Sequence, residues 1–219
     1  MIDQMDVLYI IIVLVVIFVS MTLHELAHGL VANSLGDRTA YDFGRLTLNP
    51  IKHIDPYMTI LLPMIIIITN MATGASVPIF GGAKPVPFNP SNIKYGEIGV
   101  ALVAISGPLV NFFLAFVAYA ILVVSKAEAG SLLNSVLTAF TMVNLGFFAF
   151  NIIPIPPLDG SRVLYALAPD FVKSIFDTIE RYGVLLIFAI VMVGGSLIVT
   201  YMNFIIVNIL KGFSIVFGG

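Results

Sequence analysis

Two histidines and a glutamate, His24, Glu25 and His28, stand together in the run LHELAHGL at residues 23–30. On an α-helix, residues four apart share a face. The imidazoles of His24 and His28 can therefore grip one cation, while Glu25, one step round, reaches a water bound to it. Imidazole pairs of this kind suit zinc, which in catalytic sites takes three protein ligands and keeps a fourth position for water. Water held there has its pKa lowered from 15.7 to about 7, so the expected chemistry is hydrolysis at neutral pH.

On an ordinary helix the same pattern would be two solvated histidines beside a surface glutamate. The residues that precede it argue otherwise. Residues 7–21, VLYIIIVLVVIFVSM, carry no charge, so the helix that delivers the motif lies in lipid or inside a helix bundle. Ionisable side chains at bilayer depth are costly unless paired or metal-bound, which makes three of them in one turn a functional site.

The third ligand has to come from elsewhere, because the position six after His28 is Ser34 and the chain has no cysteine to offer. The one other histidine, His53, sits in NPIKHIDP among turn formers and charges and reads as a solvated or turn-capping side chain. Asp159 is the stronger candidate. It follows an apolar stretch and the run NIIPIPPLDG, in which Pro154, Pro156 and Pro157 stop a helix and hold the next carboxylate in place. The plainer role for the same residue is an N-cap for a short helix starting near Ser161.

The elements that must carry these groups are set by composition. The chain has 219 residues, 59% of them hydrophobic and 10% charged, with a mean hydropathy of +1.07. A soluble domain carries about 25% charged residues. We read the sequence as an all-α integral membrane protein, a multi-span helical bundle forming a single domain over residues 1–219. Its first partner is the lipid bilayer. The net charge is −2 and the ten basic residues are dispersed, so nothing in the chain suits nucleic acid.

In order, the opening MIDQMD is acidic and leads into the apolar run without a small-residue cleavage site, so the first helix is expected to be retained, from residue 7 to 35, with Gly36 ending it. Residues 37–56 are polar. Within them TAYDFGRLTLNP alternates Tyr41, Phe43, Leu46 and Leu48 around Gly44 and Arg45, which predicts a small β-hairpin, either a plain connection or an edge able to pair with an unfolded peptide. Residues 57–75 are uncharged but hold Pro63, and VPIFGGAKPVPFNP follows with four prolines and the pair Gly81 and Gly82. That composition predicts a re-entrant segment and a loop lining an access path, as against a short span followed by a surface loop.

Residues 98–124 and 132–153 are each long enough to cross a hydrocarbon core of about 30 Å. The first contains Ser106, Gly107, Pro108 and Asn111, small and polar residues that permit close helix approach and interhelical hydrogen bonds. Residues 184–210 form an uncharged run with Gly194 and Gly195 that fits one long span or two short ones.

With a re-entrant segment, one side of the membrane collects Arg38, Arg45, Lys52, Lys84, Lys94, Arg162, Lys173 and Arg181 against Lys126 opposite. Cytoplasmic loops are rich in such residues. The expected orientation in the cell membrane is N-terminus outside and active site toward the cytoplasm.

HELAH, SGPLVN and NIIPIPPLDG, in that order over residues 23–164, resemble the site-2 protease family of intramembrane zinc metalloproteases in its compact form, without appended domains. The resemblance implies that His24, His28 and Asp159 bind Zn2+, that Glu25 is the catalytic base, and that Asn151 positions substrate or stabilises the tetrahedral intermediate. It also implies a substrate class, proteins with a transmembrane helix, cut in regulated intramembrane proteolysis. Two other classes compete. Intramembrane His, Glu and Asp also line ion paths in metal-binding transporters, although the second half has no inverted copy of the motif helix. A non-cleaving membrane scaffold would be expected to lose Glu25 or a ligand.

Overall fold

The computed structural model describes residues 4–61, 64, 65, 68 and 83–217. Helix α1 (Gln4–Ser34) is apolar for most of its length and, at 1.5 Å per residue, extends about 46 Å. It ends as its sequence dictates, with Leu35 N–H on the Val31 carbonyl and Gly36 at φ +108°, a conformation that costs glycine little. A short α2 (Thr39–Asp42) follows. Helix α3 (Gly96–Ser125) carries Pro108 in its interior and starts after Tyr95, itself left-handed. The Ser131 side chain caps α4 (Leu132–Asn151), which stops before the proline run; the Pro156–Pro157 bond is cis. Two amphipathic helices, α5 (Asp159–Leu167) and α6 (Asp170–Glu180), lead into α7 (Gly183–Phe217).

Among the described residues, four helices are long and apolar enough to cross a membrane: α1, α3, α4 and, over Gly195–Phe217, α7. Three of them build the core. Ile12 and Val16 of α1 pack on Ala139 of α4, and further along both helices Ser20 meets Asn144, so α1 and α4 run in the same direction. Helix α3 runs the other way, with Val103 against Ala32 and Asn111 against His24. The end of α1, the start of α3 and the end of α4 therefore share one end of the bundle. Phe213 of α7 packs on Ala115 and Leu145.

The ends of the connection between α1 and α3 are fastened together there. Lys94 N–H donates to the Leu35 carbonyl at 2.9 Å, and Asp37 accepts from Asn89 N–H, the Asn92 amide and the Thr39 hydroxyl. Burial alone would raise the Asp37 carboxyl, but these hydrogen bonds outweigh it and hold the group below the usual carboxylate range.

One expectation changes and one open alternative is decided. The β-hairpin over TAYDFGRLTLNP is not formed, and the described residues contain no strand. Thr39–Asp42 is a helical turn, Gly44 turns the chain at φ +62°, and Arg45 N–H closes back on the Ala40 carbonyl, so the donors a ladder would need are spent locally. The alternating residues have no buried face either, since Tyr41, Phe43 and Leu48 are all well exposed. The uncharged tail is one helix, not two. The re-entrant segment expected over residues 57–75 falls largely outside the described residues, beyond a single π-helical turn at Pro56–Leu61.

Candidate metal centre

Helix α1 brings His24 and His28 one turn apart on its buried face, their rings edge to face with centroids 4.6 Å apart and their Nε2 atoms 3.0 Å apart. Each ring is fixed through its other nitrogen. His28 Nδ1 lies 2.8 Å from the Val103 carbonyl, which can only accept, so the proton is on Nδ1 and Nε2 presents a lone pair. His24 Nδ1 donates to Asn111 Oδ1 at 2.6 Å. Space for both rings comes from Gly107 of α3. A methyl group there would collide with His28 Nε2 and stand 2.7 Å from His24 Cε1.

The third group is Asp159, the first residue of α5, with Oδ2 at 3.2 Å from His24 Nε2 and 3.5 Å from His28 Nε2. It does not cap its helix, whose N-cap position is Leu158. The glycine that follows explains how the carboxylate gets there: α5 starts hard against the end of α4, and a Cβ on Gly160 would strike the Ile152 carbonyl.

These donors fit a small cation. Two imidazole lone pairs facing each other at 3.0 Å beside a carboxylate are mutually repulsive with nothing between them. Ligands around a tetrahedral ion with bonds near 2.0–2.1 Å would be about 3.3 Å apart, close to the three separations observed. The three ligand atoms lie within 4.8 Å of one another and can hold a metal ion.

Glu25 is also buried, and its Oε2 accepts from Val86 N–H at 2.7 Å. Val86 belongs to the extended run at residues 83–89, held along its length by Lys84 N–H on the His53 carbonyl, Arg45 on the Lys84 carbonyl, and Asn89 N–H on Asp37. Gly29 lets this run approach α1, since a Cβ there would lie 2.5 Å from Leu46 and 3.1 Å from Val86.

Two sequence-level candidates stand apart from the donors. Asn151, in the last turn of α4, donates to the Phe147 carbonyl of its own helix. His53 is not solvated as its surroundings suggested. It is fully buried, with Nε2 at 2.9 Å from the Thr47 carbonyl, and its backbone anchors the run at residues 83–89. Sequence reasoning found Asn111 as an interhelical hydrogen-bonding group but missed Val86 N–H and the Val103 carbonyl, since backbone groups leave no mark in residue types. Asn144 was missed too, although an asparagine inside an apolar span was a signal.

Comparison with protein families matches residues 12–195 to peptidase family M50. Among individual proteins, the chain is 38% identical over 93% of its length to "Putative zinc metalloprotease YwhC" of Bacillus subtilis, covering 91% of that protein. It is 29% identical over 66% of its length to "Putative zinc metalloprotease Rip2" of Mycolicibacterium smegmatis, covering 52% of it. It is 42% identical over 28% of its length to "Putative zinc metalloprotease MJ0611" of Methanocaldococcus jannaschii, covering 31% of it. No solved structure gave a significant match. The resemblance carried by HELAH, SGPLVN and NIIPIPPLDG is borne out: the chain belongs to peptidase family M50.

Proposed function

We propose that this protein is an intramembrane zinc metalloprotease that hydrolyses peptide bonds in or near the transmembrane helices of other membrane proteins, as the closing cut of regulated intramembrane proteolysis. The observation that carries the reading is the convergence of Asp159 Oδ2 on His24 Nε2 and His28 Nε2, next to a buried Glu25, on a helix α1 long and apolar enough to span a bilayer. Zinc, when bound by these three ligands, supplies Lewis acidity and lowers the pKa of water.

The remaining work belongs to the chain. Val86 N–H holds Glu25 Oε2, so Oε1 is the atom that takes the proton from the attacking water and returns it to the departing amine nitrogen as the C–N bond breaks. Asn111 and the Val103 carbonyl keep the imidazoles oriented. Asn151, in the last turn of α4, is assigned to the scissile carbonyl or its neighbours; its Nδ2 donates one hydrogen to the Phe147 carbonyl, which leaves a second N–H for substrate. His24, Glu25 and His28 are buried, and the lower local dielectric strengthens their contacts.

Zinc content and cleavage of a transmembrane substrate by the purified protein in detergent test the roles. Glu25→Gln should keep zinc and lose cleavage, whereas Asp159→Ala should lose both. Cleavage by Glu25→Gln at more than a few per cent of the parent rate would remove the mechanism and favour a transporter or a non-cleaving scaffold.

We further propose that the site end of the bundle faces the cytoplasm, with the N-terminus outside. The opposed directions of α1 and α3 support this reading, because the chain between them leaves and re-enters the core at one end. Leaving out Lys211 in the last helix, that end collects Arg38, Arg45, Lys52, Lys84, Lys94, Arg162, Lys173 and Arg181, against Lys126 at the other. Cysteines introduced singly at Ser91 and Ser161 should react with an impermeant thiol reagent from the cytoplasmic side only.

A further inference from the structure

Asn144 is buried in the middle of α4, at 0% exposure and far from any element end. Its Nδ2 donates to Ser20 Oγ of α1 and to the Phe140 carbonyl of its own helix, both at 2.8 Å. A backbone carbonyl accepts and never donates, so this contact decides which end of the amide is nitrogen. Asn144 Oδ1 must then face the other way, where it accepts from Asn111 Nδ2 at 2.8 Å. With its nitrogen committed there, Asn111, also at 0% exposure, can offer only Oδ1 to His24 Nδ1, 2.6 Å away, and an acceptor in that place requires an N–H. Turning both amides over would set Asn144 Oδ1 against the Phe140 carbonyl, two acceptors at contact.

His28 needs no such chain, because a backbone carbonyl fixes it directly. His24 depends on a side-chain amide that could present either end, and the two neutral tautomers of an imidazole differ by less than one hydrogen bond of about 1 kcal/mol. The wrong tautomer would place a proton on Nε2, between His24 and the position a cation would take.

We propose that Asn144 is a positioning residue that sets the tautomer of His24 through Asn111, keeping the Nε2 lone pair turned toward His28 and Asp159. The orientation of the chain runs from a backbone carbonyl of α4, across α3, to α1. Its consequence for metal affinity rests on the proposed zinc site, but the tautomer itself does not.

The protein has three histidines, so 15N-imidazole spectra of the metal-free full chain in detergent resolve each ring. With both rings neutral, the parent should show the proton on Nδ1 of both His24 and His28. In Asn144→Ala, and in Asn144→Ser as the variant that disturbs packing less, a large fraction of His24 should carry its proton on Nε2 while His28 is unchanged. Zinc affinity, measured by competition with a chelator, should fall about 10–100-fold. Adding Asn111→Asp to Asn144→Ala should restore both, because a carboxylate can only accept and no longer needs its neighbour to orient it. A purely structural role for Asn144 would not be rescued in this way. Retention of the Nδ1 proton on His24 in both single variants, or an affinity loss that Asn111→Asp leaves in place, overturns the proposal. A parent protein that binds no zinc yet shows the tautomer shift would instead overturn the zinc reading and leave the relay standing.

Discussion

Helix α3 has two working faces that differ in kind. Val103, Gly107 and Asn111 meet α1 and α4 through a backbone carbonyl, a missing side chain and an amide, each matched to named groups: His28, both histidine rings, and the pair His24 and Asn144. A step of 100° round the helix, Phe112, Phe116 and Tyr119 meet Phe213 and Phe217 of α7 through rings whose centroids lie 5.1–6.1 Å apart. Lipid tails are as apolar as these rings, so the second face is held by close packing alone. Interhelical hydrogen bonds in membranes average about 0.6 kcal/mol, so the polar face is not the stronger glue. It is the more specific one: sliding α1 or α4 by one residue would strand every polar group, whereas the aromatic face could repack.

Three substitutions of graded effect probe this difference. Gly107→Ala should be the most damaging, because its methyl group occupies the place of the His28 and His24 ring edges. Zinc content should fall to background and cleavage with it, at an overpacking cost to stability of about 1–3 kcal/mol. Asn111→Leu should come next. It leaves His24 Nδ1 and Asn144 Oδ1 buried without partners, at about 1–3 kcal/mol each, so the thermal unfolding midpoint should drop along with zinc affinity. Phe213→Leu should be mildest, below about 1.5 kcal/mol, with zinc content and cleavage at parent levels. Loss of zinc in Phe213→Leu with retention in Asn111→Leu would erase the distinction between the faces.

The parts of the molecule legible in the sequence were those in which one residue type permits one physical role. The i, i+4 histidines fall on one face of an uncharged helix that Gly36 ends, and of the two roles open to Asp159 the structure places its carboxylate beside the histidines, with Leu158 in the N-cap position. The hairpin failed because alternation marks a strand only when one side is buried, and here Tyr41, Phe43 and Leu48 face outward from a helical turn. Of the two readings of His53, solvated or turn-capping, the solvated one fails: the ring is buried with Nε2 on the Thr47 carbonyl six positions earlier. Asn144 could be seen in the sequence, but its partner depends on the relative register of α3 and α4, which only the packed bundle fixes.

The clasp between the two ends of the α1–α3 connection, Lys94 on Leu35 and Asn89 and Asn92 on Asp37, also bears on how the chain tolerates insertions. With the ends already joined, the entropic penalty of added residues grows only logarithmically, about 0.6 kcal/mol for each doubling of loop length. Added length by itself therefore weighs little on the bundle, whereas Leu46 on Gly29, and Arg45 and His53 on the run whose Val86 N–H meets Glu25, tie the segment to the site. Material inserted between residues 38 and 83 away from those contacts changes what the protein presents at this end while scarcely altering how firmly the helices are held.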